Sequence, residues 1–185
     1  MTRIVAGLAK GRRLAVPPQV TRPTSDRARE ALFSSLAARV DLAGVRFLDL
    51  FAGSGAVGLE ALSRGAAAVT LVESDRAACQ VLRANVATVG LPGAQVLQGD
   101  AAAYLAGDAL PADQFDIAFA DPPYQLDDDR LAELLQLLTG RWLGAGALVV
   151  IERSARSAAP WWPDTVEEVQ RRRYGAGTLW YGRRQ

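Results

Sequence analysis

The chain has 185 residues, of which half are hydrophobic and 22% are charged, a composition typical of one globular domain with a sizeable core. It has no histidine and one cysteine, which excludes imidazole acid–base chemistry, histidine-dependent nucleophiles, most zinc sites and an intrachain disulfide. No apolar run approaches the ~20 residues that span a bilayer, and the amino terminus has too short an apolar stretch for a signal peptide. These features predict a cytoplasmic protein without a membrane segment or a metal site, and we expect a monomer.

The net charge of +1 conceals an uneven distribution of charged side chains. Residues 1–30 carry seven basic and two acidic side chains, residues 31–152 carry seven and fifteen, and residues 153–185 carry seven and three. Basic ends around an acidic middle indicate a polyanion that is held at the periphery of the molecule. The alternative is that the terminal arginines are only solvated.

The chain begins with short, interrupted elements. Residues 1–20 are punctuated by glycine and proline and predict a small hairpin or an arm. A helix is predicted from Thr24 to Ala38, opened by Thr24 or Ser25 with Asp26 in its first turn.

From residue 45 onward, strand and helix patterns alternate. The first strand is followed by a helix that ends near Arg64, and a second helix covers Arg76–Val89. A third helix, Asp127–Leu138, has acidic residues in its first turn, where the helix dipole favours them. The shared stripe of the second helix is Ala77, Val81, Leu82, Asn85 and Val89. The predicted strands are Val45–Leu50, Ala68–Val72, Gln95–Gln98, Phe115–Ala120 and Ala147–Ile151.

The strands are apolar throughout and are separated by helices, which indicates an α/β fold with a mostly parallel sheet covered by helices on both faces. The tail differs, because Val166–Tyr174 and Thr178–Tyr181 flank Gly175-Ala176-Gly177. This pattern predicts an antiparallel hairpin at the edge of the sheet. The sequence therefore predicts a seven-stranded sheet with a C-terminal hairpin and a small N-terminal extension.

A glycine-rich loop follows the first strand of the predicted sheet. The segment Gly53-Ser-Gly55-Ala-Val-Gly58 matches G-x-G-x-x-G and opens a helix. Glycines let the backbone come close to a ligand, and the amino terminus of the helix offers free N–H groups. Glu73 ends the next strand, where a carboxylate can accept both hydroxyls of a ribose. The pattern fits a nicotinamide dinucleotide enzyme as well as a methyltransferase that uses S-adenosylmethionine. A phosphate-loop NTPase is excluded because no Gly-Lys-Ser/Thr follows the glycines.

Further acidic positions favour S-adenosylmethionine over a dinucleotide. Asp49 stands just ahead of the glycines, where a carboxylate would repel a pyrophosphate but attract the amino group and sulfonium of that cofactor. Asp100 ends the third strand, where it could accept a hydrogen bond from an adenine amino group. Asp121 ends the fourth strand. Carboxylates thus close four successive strands at the carboxyl edge, where open α/β sheets bind ligands.

The fourth strand is followed by Asp121-Pro122-Pro123-Tyr124. Prolines have no N–H group and a fixed φ, so they form a stiff corner with outward carbonyls. The Asp121 carboxylate and the Pro122 carbonyl can then accept from one exocyclic NH2 group, and Tyr124 offers a face on which a base can stack. The alternative is an Asp-Pro turn in which Tyr124 only packs.

Two segments, Leu48–Glu60 and Asp121–Tyr124, resemble those of Class I methyltransferases that act on exocyclic base amines. Three head segments, Arg3–Gly7, Gly11–Leu14 and Arg22–Phe33, narrow the resemblance to the RsmD-type family, which methylates the N2 amine of a guanine in 16S ribosomal RNA. The resemblance implies a Rossmann-like Class I methyltransferase fold and S-adenosylmethionine as cofactor. It also implies 16S ribosomal RNA as partner, within an assembled or assembling small subunit.

The resemblance implies roles for individual residues. Phe51, Gly53 and Gly55 would line the methionine part of the cofactor. Glu73 would hold the ribose, and Asp100 with Ala101 would meet the adenine. The target base would be held by the catalytic segment Asp121, Pro122, Pro123 and Tyr124. The remaining expected cofactor contacts are Asp49, from its position before the glycines, and Arg22, Thr24 and Asp26, which match a segment that packs over the cofactor.

The expected RNA-binding residues follow from the basic head of the chain and are Arg3, Lys10, Arg12 and Arg13. We expect residues 1–21 to form a basic hairpin or arm and residues 22–185 to form the methyltransferase domain. Several other functions remain open at this point. They are adenine-N6 methylation of DNA or RNA, glutamine methylation of a protein, an NAD-dependent dehydrogenase, and a non-catalytic RNA-binding module.

Overall fold

The computed structural model describes residues 1–18, 25–110 and 113–185, which form two compact units, Met1–Asp100 and Ala101–Gln185. The predicted boundary between residues 21 and 22 lies outside the described residues.

The first unit begins with two short strands and a helix. Strand β1 (Thr2–Arg3) pairs antiparallel with β2 (Arg13–Leu14). Helix α1 (Asp26–Ala37) begins after Ser25, whose side chain accepts a hydrogen bond from the amide of Ala28. Ser25 is thus the N-cap of α1, whereas Thr24, the other predicted opening residue, lies outside the described residues.

Three parallel strands and two helices complete the first unit. Their bounds are β3 (Arg46–Asp49), α2 (Ala56–Ser63), β4 (Ala68–Glu73), α3 (Arg76–Val89) and β5 (Ala94–Gln98). The strands run in the order β5-β4-β3. Every residue of α2 is buried, which explains why its sequence is apolar all round except for Glu60 and Ser63.

The buried face of α3 differs from the predicted stripe at two of its five positions. Ala77 is exposed and Val81 is half-buried, whereas Ala78 and Cys79 are buried together with Leu82, Asn85 and Val89. Since alanine is common on both faces of this helix, the apolar periodicity alone does not fix the start of the stripe.

In the second unit, residues 101–110 and 113–185 form four strands, two helices and a π-helical turn. Their bounds are α4 (Ala101–Leu105), β6 (Phe115–Ala120), α5 (Asp128–Leu137), the turn Leu138–Trp142, β7 (Leu143–Ser154), β8 (Val166–Tyr174) and β9 (Gly177–Arg184). The strand order is β6-β7-β9-β8. Strands β6 and β7 are parallel, and β9 pairs antiparallel with both β7 and β8.

Strand β7 is 12 residues long, although its apolar part predicted only Ala147–Ile151. The additional residues include Glu152 and Arg153, which interrupt the apolar pattern but pair with Leu179 and Thr178 of β9. The strand therefore extends where its backbone finds a partner rather than where its side chains are buried.

The described strands confirm the predicted fold class, a mostly parallel seven-stranded α/β sheet with a C-terminal antiparallel hairpin. Within the described residues, no helix is long and apolar enough to cross a membrane.

A buried ion pair joins helix α1 to helix α2. The side chains of Arg29 and Glu60 are both fully buried, with 3.6 Å between Arg29 Nε and Glu60 Oε2. Glu60 also accepts hydrogen bonds from the amides of Val5 and Ala6 and pairs with Arg64. A buried charge is tolerated only when it is paired and hydrogen-bonded, and this carboxylate has four such partners.

Replacing Glu60 with glutamine removes the charge but keeps the shape. It removes one acidic partner of the buried Arg29 guanidinium, which keeps Asp26 at 2.9 Å, and it weakens the hydrogen bonds from the head of the chain, so we expect the free energy of unfolding to fall by about 3 kcal/mol. Urea unfolding measures the loss. The control is Glu133→Gln, which breaks the exposed Arg130–Glu133 pair and should cost less than about 1 kcal/mol. Equal losses of unfolding free energy in the two variants would show that the buried pair contributes no more to stability than an exposed pair.

Candidate functional site

Acidic side chains lie at the carboxyl ends of the three parallel strands in the first unit. Asp49 is the last residue of β3, Glu73 is the last residue of β4, and Asp100 follows β5 by two residues. Because the strands are parallel, these ends lie at one edge of the sheet, where open α/β sheets bind ligands.

Asp49 is buried and incompletely hydrogen-bonded. Its Oδ2 accepts from the amide of Gly58 at 3.1 Å, whereas Oδ1 has no hydrogen-bond partner within the described residues. Burial raises the pKa of Asp49 to about 7, and the nearby Glu73 adds to the rise, although the amides of Gly58 and Phe51 oppose it. The first unit therefore holds an acceptor oxygen that would gain from a cationic donor.

Glu73 holds the glycine-rich loop against the end of β4. Its Oε2 accepts from the amide of Gly53 at 2.8 Å, and its Oε1 accepts from the amide of Asp75 at 2.8 Å. Each carboxylate oxygen can accept a second hydrogen bond, so the side chain is positioned by the backbone and keeps acceptor capacity for a ligand.

Two glycines of the G-x-G-x-x-G motif are required for different structural reasons. Gly55 lies at φ 77°, in the left-handed region, and a Cβ atom there would lie 2.3 Å from Cδ1 of Leu82. Gly58 lies inside α2, where a Cβ atom would lie 2.5 Å from Cδ2 of Leu71 on β4. The third glycine of the motif thus allows the helix to pack closely on the strand.

Asn85 connects the glycine-rich loop to the head of the chain. Its amide nitrogen donates to the carbonyls of Ser54 and Ala15, and its oxygen accepts from the amide of Ala15. The helical periodicity places Asn85 in an otherwise apolar stripe and does not predict this role. A single polar residue inside that stripe was the available signal.

Two of the residues expected to bind RNA, Arg3 and Arg12, have partners within the first unit. Arg12 donates to the carbonyls of Thr88 and Val89 at 2.6 Å, so its guanidinium caps the end of α3. Arg3 is mostly exposed and pairs with Asp26 at 3.3 Å. Lys10 and Arg13 are exposed.

Asp26 binds the first residues of the chain. Its carboxylate accepts from the Thr2 hydroxyl at 2.8 Å and pairs with Arg29 at 2.9 Å. Burial opposes ionisation, but the hydrogen bonds from Thr2, Arg29 and Arg3 outweigh it and lower the pKa of Asp26. Its contact with a cofactor stays a prediction, and Arg22 and Thr24 lie outside the described residues.

Asp100 and Ala101 occupy consecutive positions at the start of α4. Asp100 is exposed, and Ala101, the first residue of the helix, is buried. Phe51 is half-buried in the loop after β3. The cofactor contacts expected for these residues stay predictions.

In the second unit, residues 121–124 form a rigid corner immediately after β6. Asp121 is half-buried and Pro122 is buried, whereas Tyr124 is 76% exposed. The carbonyl of Pro123 accepts from the amide of Leu126 at 2.9 Å, which closes the turn. Within the described residues no donor reaches the Pro122 carbonyl. The corner therefore presents an acceptor and an exposed aromatic face.

The part of the chain that the structure describes has no group of three or more His, Cys, Asp or Glu side chains placed to hold a metal ion.

The sequence is similar to known proteins over most of its length. A family model described as conserved hypothetical protein 95 matches residues 2–183. The chain is 42% identical over 160 residues to the ribosomal RNA small subunit methyltransferase D of Escherichia coli, covering 85% of this chain and 77% of that protein. It is 38% identical over 157 residues to the protein of the same name from Haemophilus influenzae, covering 81% of this chain and 77% of that protein.

Solved structures show the same fold over both units. The Escherichia coli protein yhhF has a TM-score of 0.85 and 38% identity, covering 99% of this chain and 97% of that chain. A hypothetical protein from Thermus thermophilus has a TM-score of 0.83 and 38% identity, covering 98% of each chain. The family match over nearly the whole chain and the identity to curated relatives lead to one conclusion: this chain belongs to the RsmD-type family, that of the ribosomal RNA small subunit methyltransferase D proteins.

Proposed function

We propose that the protein methylates the exocyclic N2 amine of one guanine in the 16S ribosomal RNA of the small subunit, with S-adenosylmethionine as the methyl donor. The observation that carries this proposal is the corner Asp121–Tyr124, whose Pro122 carbonyl has no donor within the described residues and whose aromatic ring is exposed. The names of the relatives, small subunit ribosomal RNA methyltransferases, support the substrate class. The protein would act in the cytoplasm, as a monomer, on an assembled or assembling subunit.

The residues of the first unit fit the cofactor. The buried Oδ1 of Asp49 lacks a donor within the described residues, and the ammonium group of a methionine moiety would supply one. Glu73 keeps acceptor capacity on both oxygens, which suits the two hydroxyls of a ribose. When bound, S-adenosylmethionine supplies a methyl group on a positively charged sulfur.

The residues of the second unit fit the base. The lone pair of a guanine N2 amine is delocalised into the ring, so the amine is a poor nucleophile until its hydrogens are held. Asp121 and the Pro122 carbonyl would accept those two hydrogens, and Tyr124 would stack on the ring. This arrangement favours a pyramidal nitrogen with an available lone pair. The nitrogen would then be able to take the methyl group that S-adenosylmethionine supplies, with the sulfur as leaving group, and one N–H proton would leave to water.

Catalysis in this scheme depends on position and electrostatics rather than on a covalent intermediate. The chain has no histidine, and its only cysteine, Cys79, is buried in α3. A target guanine in a paired region would first have to be flipped out of its stack, at a cost of ~a few kcal/mol. Arg3, Lys10, Arg12 and Arg13 are proposed to contact the RNA, with Arg12 also capping α3.

Replacing Asp121 with alanine tests the role of the corner. We expect methyl transfer to small subunits to fall by at least ~100-fold, because a positioned acceptor contributes on that order, while S-adenosylmethionine binding is kept. Tritium transfer and calorimetric cofactor titration measure the two quantities. The control is Asp116→Ala, at the exposed start of the same strand. Normal turnover in Asp121→Ala would remove the corner from the active site.

The raised pKa of Asp49 predicts a pH-dependent cofactor affinity. Below about pH 7 the carboxyl is protonated and cannot pair with an ammonium group, so affinity should be about tenfold lower at pH 6 than at pH 8. Binding should be weaker and flat with pH in Asp49→Asn. Without cofactor, the folded protein holds this proton more tightly than the unfolded chain, so the contribution of Asp49 to stability falls as pH rises from about 4 to 7. A pH-independent affinity in the unmodified protein would contradict the pairing.

A further inference from the structure

The second unit carries three consecutive arginines, Arg171, Arg172 and Arg173, near the end of strand β8. This is the only run of three basic residues in the sequence. All three are exposed, and none forms an ion pair with an acidic side chain within the described residues. Strand β8 is the last strand of the order β6-β7-β9-β8, so one of its edges has no strand partner among the described residues.

Other arginines of the same unit are engaged in the fold. Arg153 pairs with Asp128 at 2.9 Å and donates to the carbonyl of Leu126, and Arg184 donates to the carbonyl of Leu143. The three consecutive arginines differ because no acidic side chain within the described residues neutralises them.

The strand register places these arginines at the same edge of the sheet as Asp121. Ala120 of β6 lies opposite Ile151 of β7, Ile151 lies opposite Trp180 of β9, and Trp180 lies opposite Arg171 of β8. Strand β8 runs parallel to β6, because each of the two steps from β7 to β8 reverses direction. Asp121 comes one residue after Ala120 and Arg172 comes one residue after Arg171, so both lie at the same edge of the sheet.

The separation suits one extended nucleic acid. Three strand spacings of about 4.8 Å place the β8 backbone roughly 14 Å from the corner after β6. An arginine side chain spans part of this distance, so a base held at Asp121 and the phosphates of its neighbouring nucleotides can be contacted by the same unit.

The arginines alternate between the faces of the hairpin. Arg171 and Arg173 point to one face and Arg172 to the other, because side chains alternate along a strand. The Arg171 guanidinium lies over the ring of Trp180, 5.6 Å from its centroid, which limits its motion and leaves its N–H groups able to donate. A planar guanidinium donates two parallel hydrogen bonds to a phosphate.

We propose that Arg171, Arg172 and Arg173 form a second RNA-binding surface, which holds the phosphate backbone beside the target guanine. The proposal rests on the proposed function, because the phosphates that the three arginines would bind belong to the RNA that carries the target guanine. It also gives a role to the basic C-terminal segment, residues 153–185, which has seven basic and three acidic side chains. A different explanation is that charge on an edge strand only prevents pairing with another chain.

The test compares two double variants of equal charge. Arg171→Gln/Arg173→Gln removes two charges from the proposed surface, and Arg130→Gln/Arg141→Gln removes two exposed charges elsewhere in the same unit. The substrate is the small ribosomal subunit from a strain that lacks the enzyme. The measurements are RNA affinity at several salt concentrations, the KM for subunits, kcat at saturating subunits, and cofactor affinity.

We expect the Arg171/Arg173 variant to bind subunits about tenfold more weakly, with a KM raised by a similar factor and cofactor affinity unchanged. Two lost phosphate contacts should also reduce the slope of log K against log[salt] by about 1.4. The single variant Arg173→Gln, which removes no ion pair within the described residues, should show about half of this slope change and guards against misfolding of the double variant.

Two outcomes separate this inference from the proposed function. If the unmodified protein methylates subunits and the Arg171/Arg173 variant matches the Arg130/Arg141 control in KM and salt slope, the RNA surface is wrong and the arginines only protect the edge. If the unmodified protein transfers no methyl group to small-subunit RNA, the proposed function itself fails.

Discussion

The buried carboxylate of Glu60 is the contact on which the arrangement of the first unit depends. It accepts from the amides of Val5 and Ala6 and pairs with Arg29 and Arg64, so the head of the chain, α1 and α2 meet at one charge. A buried ion pair adds little net stability when compared with a well-packed apolar pair, but it tolerates no loss of a partner. Its effect is therefore to specify where the head of the chain lies.

Further polar contacts fix the head of the chain along the same unit. Ser63 binds the head through its backbone and its side chain: its carbonyl accepts from the amide of Leu8, and the Ser63 hydroxyl donates to the carbonyl of Ala6. Gly7 allows this approach, because a Cβ atom there would lie 1.8 Å from the Ser63 carbonyl oxygen. Asn85 then binds both Ala15 and the carbonyl of Ser54. The head is thus tied to the loop that is proposed to hold the cofactor, and it is more than a flexible basic arm.

Much of the fold could be predicted from the sequence, because buried parallel strands are continuous apolar runs bounded by carboxylates. Helix α4 was not predicted, since its five residues, Ala101–Leu105, are too few for a periodic pattern. The partners of Glu60 and Arg12 could not be predicted either. Both residues act across more than 50 positions of sequence, and no local pattern records such contacts. The buried location of Glu60 shows that an acidic residue in an apolar helix is a signal worth following.

The candidate site was predictable to a different degree. The positions of Asp49, Glu73 and Asp121 at strand ends follow from the strand pattern, and their roles as acceptors follow from those positions, whereas the role of Asp26 comes only from family resemblance. The cofactor contact that resemblance assigns to Asp26 stays a prediction, and the structure adds that its carboxylate binds Thr2 and Arg29. The geometry of the described residues adds what resemblance does not contain, namely an unpaired oxygen on Asp49 and three arginines without an acidic partner on one edge.

The proposed reaction places one methyl group on a guanine N2 amine of small-subunit RNA. Mass spectrometry of nucleosides from the small-subunit RNA of a deletion strain tests it most directly, with the RNA of the parent strain beside it. We expect the deletion strain to lack one N2-methylguanosine per subunit, and the nucleoside to return when the gene is restored. Unchanged N2-methylguanosine, or the loss of an N6-methyladenosine in its place, would contradict it.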